Sequence, residues 1–126
     1  MKAQKTLGIW MDHATAHLID LESTKNNYSI VSGFTFDTQE EALSRSENLM
    51  HNKRKQMREA YYKEIAAVIL KYDHVLLFGP TNAKTELHNY VNADSGFKNI
   101  KIVTIAADKM TDNQKLAFVR NYFQRA

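Results

Sequence analysis

A chain of 126 residues and 14.5 kDa is one domain's worth, residues 1–126, and can bury about two-thirds of its unfolded surface without covalent staples. Its 44% hydrophobic and 25% charged residues exclude a disordered or collagen-like chain, and the lack of cysteine excludes disulfides, thiol catalysis, iron–sulfur clusters and cysteine-ligated zinc. The net charge is only +3, no apolar run exceeds six residues, and MKAQKTLGIW lacks a long apolar stretch, so no membrane span or signal peptide is expected and a cytoplasmic protein is.

The first third reads as strands. From Thr6 to Asp12, Leu7, Ile9 and Met11 share one face while Gly8 and Trp10 share the other, and apolar groups on both faces predict a central strand. Thr15–Leu21 follows after only Asp12-His13-Ala14, which predicts an antiparallel hairpin. A polar turn, Ser23–Asn27, leads to a third strand in which Tyr28, Ile30, Phe34 and Phe36 alternate with Ser29, Val31, Gly33 and Thr35. Residues 37–50 are polar and carry no strand pattern.

The period then changes. From His51 to Lys71 there is no Gly or Pro, and Met57, Tyr61, Ile65 and Val68 recur at helical steps as a core-facing stripe. Val75–Phe78 is a continuous apolar run, the mark of a buried parallel strand. Gly79-Pro80-Thr81 ends it and starts a helix whose Ala83, Leu87, Tyr90 and Val91 share a face. Residues 100–106 (IKIVTIA) give the last strand. Thr111-Asp112-Asn113-Gln114 is a capping box opening a final helix with Leu116, Val119 and Phe123 on its core face. Trp10, Phe34, Phe36 and Phe78 read as core. The order βββ-α-β-α-β-α, a meander followed by αβα units, predicts an α/β fold with a mixed five-stranded, ribonuclease-H-like sheet.

Charge is unevenly distributed: net −3 over residues 1–44, +4 over 45–63 and +2 over 64–126. The basic excess sits in Arg45, Lys53, Arg54, Lys55, Arg58 and Lys63, at the start of the long helix. Such a cluster suits a polyanion contact or, equally, a solvated helix face.

Several segments together resemble a known family. The opening Gly8-Ile9-Trp10-Met11-Asp12-His13-Ala14-Thr15-Ala16-His17-Leu18 resembles the "W-x-D-H-x-x-A" start of a bacterial family related to the middle domain of archaeal and eukaryotic class-1 peptide-chain release factors and of Pelota-type ribosome-rescue proteins. HNKRKQMREAYYKEI, LLFGPTNAKTEL and ADKMTDNQ fit the same family, and the resemblance covers residues 6–124. In the release factors this domain carries a Gly-Gly-Gln tripeptide on a loop before the long helix, which would fall at Ser44–Asn52 here. This chain has no Gly-Gly pair, since Gly8, Gly33, Gly79 and Gly96 each stand alone, so the resemblance implies the fold without release catalysis. It also leaves the decoding and factor-recruiting domains of the release factors unaccounted for.

Candidate sites each have a plain structural alternative. His51, Lys55, Arg58 and Tyr62 fall on one helical face, and Lys53 and Arg54 extend the patch, a pattern that fits a phosphate backbone with one stacking ring. Thr81 and Lys84, after the strand-ending Gly79, could hold an anion, or Thr81 or Asn82 could simply cap the helix; the spacing is not that of a P-loop. Asp12 at the end of the first strand would be the metal ligand of a nuclease, but Asp73, Asp108, Glu59 and Glu64 offer no evident company, and Asp12 can equally close the hairpin turn. The five histidines, at 13, 17, 51, 74 and 88, are scattered, so no metal site and no cofactor are expected.

The reading that follows is a non-catalytic, translation-associated module contacting ribosomal or transfer RNA through loop 44–52 and the basic helix start, in ribosome rescue or dormancy. Two alternatives stand beside it: a metal-dependent nuclease or phosphoester hydrolase using Asp12, and a protein-interaction module that self-associates as a homo-oligomer.

Overall fold

The computed structural model describes residues 5–22, 27–32 and 47–125, and within them the side chains of all but 47–54 and 125. Its strands are β1 (Thr6–Met11), β2 (Thr15–Ile19), β3 (Tyr28–Val31), β4 (His74–Gly79) and β5 (Lys101–Ala106). Its helices are α1 (Glu47–Ile69), α2 (Ala83–Asn92) and α3 (Asp112–Arg125), with a 3₁₀ turn at Ser95–Phe97. The expected strand positions Phe34 and Phe36 and the loop residues 44–46 lie outside the described residues. Helix α1 begins four residues earlier than the sequence suggests, so residues 47–50, expected ahead of the helix, are helical.

β1 is the strand that both faces of the sheet require. Leu7, Ile9 and Met11 are buried on one side and Trp10 on the other, which only an interior strand can sustain. It pairs antiparallel with β2, Gly8 opposite Ile19 and Met11 opposite Ala16, and parallel with β4, Thr6 beside His74 and Trp10 beside Phe78. β3 adds antiparallel to β2 and β5 parallel to β4, giving an open sheet in the order β3-β2-β1-β4-β5. This is the mixed five-stranded, ribonuclease-H-like α/β sheet that the element order predicts.

Two apolar layers follow from the alternation. Leu7, Ile9, Met11, Leu18, Ile30, Val75 and Leu77 meet Tyr61, Ile65, Ile69, Leu87 and Val91 of α1 and α2. Trp10, Ile19, Leu76 and Phe78 meet Leu116, Val119 and Phe123 of α3, with Phe118 stacked on Phe78 at 4.6 Å. α3 comes so close to β1 that a Cβ at Gly8 would run into the Val119 side chain. On β3 only Ile30 is buried; Val31, on the α3 side, is 63% exposed.

The stripe on α1 runs slightly off the expected one. Tyr61, Tyr62, Ile65, Ala66 and Ile69 are buried, whereas Met57 and Val68 are only half-buried. On α2 the core takes Ala83, Leu87 and Val91, but Tyr90, expected on the same face, is 39% exposed. Among the described residues no helix is long and apolar enough to cross a membrane.

Candidate functional site

β1, β4 and β5 run parallel, so their carboxyl ends meet at one end of the sheet, the place where open α/β sheets gather ligand-binding groups. Three segments converge there: the β1–β2 turn, the middle of α1 and the first turns of α2. Burial along α1 begins at Tyr61. Amino-terminal to it, Lys55, Gln56, Arg58, Glu59 and Ala60 are exposed and Met57 is half-buried, so the described part of this half of the helix stands clear of the core. The basic candidates Lys55 and Arg58 are on this clear-standing half. His51, Lys53 and Arg54 are on the same helix, one to two turns earlier, with side chains outside the described residues.

Tyr62 departs from its expected role. It is 4% exposed, and its hydroxyl donates to Glu86 Oε1 at 2.6 Å, so it ties α1 to α2 and offers no ring face for stacking. The exposed aromatic at this place is Tyr90, whose ring centre lies 6.3 Å from that of Tyr62. Tyr61 donates to the Asp12 carbonyl at 3.0 Å and so fixes the β1–β2 turn to the helix. Burial first, then the Asp12 charge, pushes the Tyr61 hydroxyl well above its ordinary range; burial and the Glu86 hydrogen bond do the same to Tyr62. Both hydroxyls therefore remain donors.

Glu86 is the hub. Besides Tyr62 it faces His13 Nε2 at 3.4 Å and Arg58 Nε at 3.9 Å. Burial alone would raise its pKa, but the hydrogen bonds from Tyr62 and His13 and the charges of His13 and Arg58 outweigh it and hold the carboxyl below its ordinary value. An ionised Glu86 draws Arg58 and His13 to one spot on the surface. The arrangement can present cationic and ring groups to an anionic partner. Neither Glu86 nor His13 stands out in the sequence: they are 73 positions apart, and only the register of β1 against β4 brings the turn beside α2.

The other candidates have structural employment. Asp12 Oδ1 accepts from the Ala14 and Thr15 amides, both at 2.8 Å, and closes the β1–β2 turn. Asp73 accepts from the Lys5 amide at the opposite end of the strands, and among the described residues no three His, Asp or Glu converge as a metal site would need. Thr81 and Lys84, the expected anion site, meet each other at the turn into α2. Lys84 is buried with Nζ donating to the Thr81 carbonyl, and Thr81 Oγ1 accepts from the Ala83 amide, so both groups brace the turn into α2. The histidines are dispersed: His13 faces Glu86, His17 faces Ser29 and His74 faces Tyr122.

The architecture defines the class: an α/β domain with a ribonuclease-H-like sheet, α1 and α2 on one face and α3 on the other. No family model matches the sequence, and no curated protein matches it. Among solved structures the chain is similar to Pelota of Archaeoglobus fulgidus, with a TM-score of 0.51 and 11% identity over 98% of this chain. The chain spans 38% of the length of that Pelota chain. At this identity the likeness is one of fold.

Proposed function

We propose that this chain is a translation-associated module that contacts ribosomal or transfer RNA through α1 and the end of the sheet beside it, acting in ribosome rescue or dormancy in the cytoplasm. The observation that carries the reading is the exposed stretch of α1 at residues 55–60, with Lys55 and Arg58 exposed on it and His51, Lys53 and Arg54 preceding them on the same helix. An exposed helical stretch rich in cations is suited to lie along phosphates. Arg58 and His13 collect at Glu86, and Tyr90 supplies the exposed ring that Tyr62 does not. The Pelota-like fold supports the same setting. No Gly-Gly-Gln is present, so the module binds and does not release.

The test is binding of the purified protein to ribosomes, with naked RNA in parallel, at two salt concentrations. Saturable ribosome binding that weakens with salt, and weakens further in the Lys55→Ala, Arg58→Ala double variant, is the expected result. No binding to either, or binding indifferent to both substitutions, would overturn it.

A further inference from the structure

A concavity lies on the α3 face, away from Glu86. α3 covers β1, β4 and β5 and reaches Ile19 of β2, but leaves the β3 edge open on this side, where its first turn borders the gap. The result is a cleft of about 330 Å³ lined by His17, Ile19 and Ser29 of the sheet and by Asp112, Lys115 and Leu116 of α3. Its volume suits one small molecule.

Lys115 decides what that molecule is. Its side chain is 92% buried along its stem, while the ammonium at its tip meets the cleft. The Trp10 ring centre lies 4.1 Å below it, and the carboxylate of Asp112 stands 3.7 Å away on a side chain that is 91% exposed. An ammonium has three N–H groups, and a mostly exposed carboxylate at that distance leaves them open to a better acceptor in the cleft. His17 lies beside it with its edge on Trp10 at 5.6 Å and its Nδ1 3.2 Å from Ser29 Oγ. Burial, then the Lys115 charge, lowers the pKa of His17 against the opposing charges of Asp112 and Asp12, so a dianion placed on Lys115 would raise it. Ile19 and Leu116 give the cleft an apolar wall.

We propose that this cleft binds a small phosphomonoester or inorganic phosphate, its oxygens on Lys115 with His17 and Ser29 beside them and any organic group against Ile19 and Leu116. Asp112 is the group displaced from Lys115 when the anion enters. The site is independent of the RNA reading, since it uses other residues on the other face of the sheet.

Trp10 is the chain's single tryptophan and lies under the Lys115 ammonium, so its emission reports occupancy directly. Inorganic phosphate and phenyl phosphate would be titrated against the intact chain, with chloride at matched ionic strength as control. The expected result is a saturable change with both phosphates and none with chloride. Lys115→Met should weaken binding about tenfold or more. Because that variant removes a buried side chain, Asp112→Asn provides a second reading on an exposed one: it should tighten binding about twofold to fivefold. In the ring spectra of His17 its pKa should rise on saturation with phosphate. No saturable response in the wild-type chain, or equal affinity of wild type and Asp112→Asn, would overturn the proposal.

Discussion

Gly79 ends β4 in a backbone conformation, φ +151°, that side chains rarely adopt, and a Cβ there would also run into the Met11 carbonyl of the neighbouring strand. The two demands act together, so Gly79→Ala should cost about 2 to 4 kcal/mol in urea unfolding; a loss under about 0.5 kcal/mol would show a turn that adapts. His74 gives a pH dependence instead. It is buried, 3.0 Å from the Tyr122 hydroxyl and edge-on to Phe123, and burial, then the Lys101 charge, lowers its pKa. Unfolding returns it to about 6.5, so in mildly acid solution the unfolded chain binds more protons than the folded one. Its contribution is whole above that value and is lost as pH falls toward the folded pKa. Thermal stability should therefore drop between pH 7.5 and 5.5, and His74→Phe should flatten that limb; equal slopes in both proteins would remove His74 as the cause.

At the scale of elements, what was legible is what local chemistry dictates. The capping box at Thr111 is present as read: the Thr111 amide donates to Gln114 Oε1 at 2.9 Å and the Gln114 amide to Thr111 Oγ1 at 3.2 Å. Thr111→Ala should cost about 1 kcal/mol by chemical denaturation, and an unchanged midpoint would show that the cap contributes nothing net. β1 was legible for a similar reason, since alternation with apolar groups on both faces has one solution. The misreadings occur where a helical wheel leaves two neighbours equally placed. Tyr61 and Tyr62 both fit the seam of α1, and both are buried; Tyr90 and Val91 both fit that of α2, and only Val91 is. Periodicity resolves a face to about one residue, and the width of the partner surface, which is tertiary, decides the rest. Glu86 and the cleft beside Lys115 were not legible at all, because both depend on which strand lies beside which.

At the scale of the whole molecule, the uneven charge along the sequence becomes a spatial asymmetry. The +4 segment, residues 45–63, includes the stretch of α1 at residues 55–60 that is exposed ahead of its buried stripe. If RNA is held there, the dependence of affinity on salt is set by how many phosphates the arm neutralises. Removing Lys55 and Arg58 together should lower the log–log salt slope by roughly 1.8 for a duplex, and by less for a single strand. An unchanged slope would take both residues out of the contact. The fold itself was readable at this scale from the order of elements alone, whereas a surface that binds is readable only once the exposed side chains are known.

The pairing of β1 with β4 sets a timetable for synthesis. Thr6 lies beside His74, 68 positions later, so the interior strand of the sheet is made first and completed late. At about 5 to 20 residues per second, the ribosome needs roughly 3 to 14 seconds to supply the missing neighbour. For most of that interval the β1–β2 hairpin carries Leu7, Ile9 and Met11 with α1 still unfinished over them, and Trp10 waits for α3 until after β4 is made. The nascent chain is therefore at its stickiest early, and conditions that slow elongation between residues 20 and 74 should lower the yield of native protein more than the same delay placed after β4.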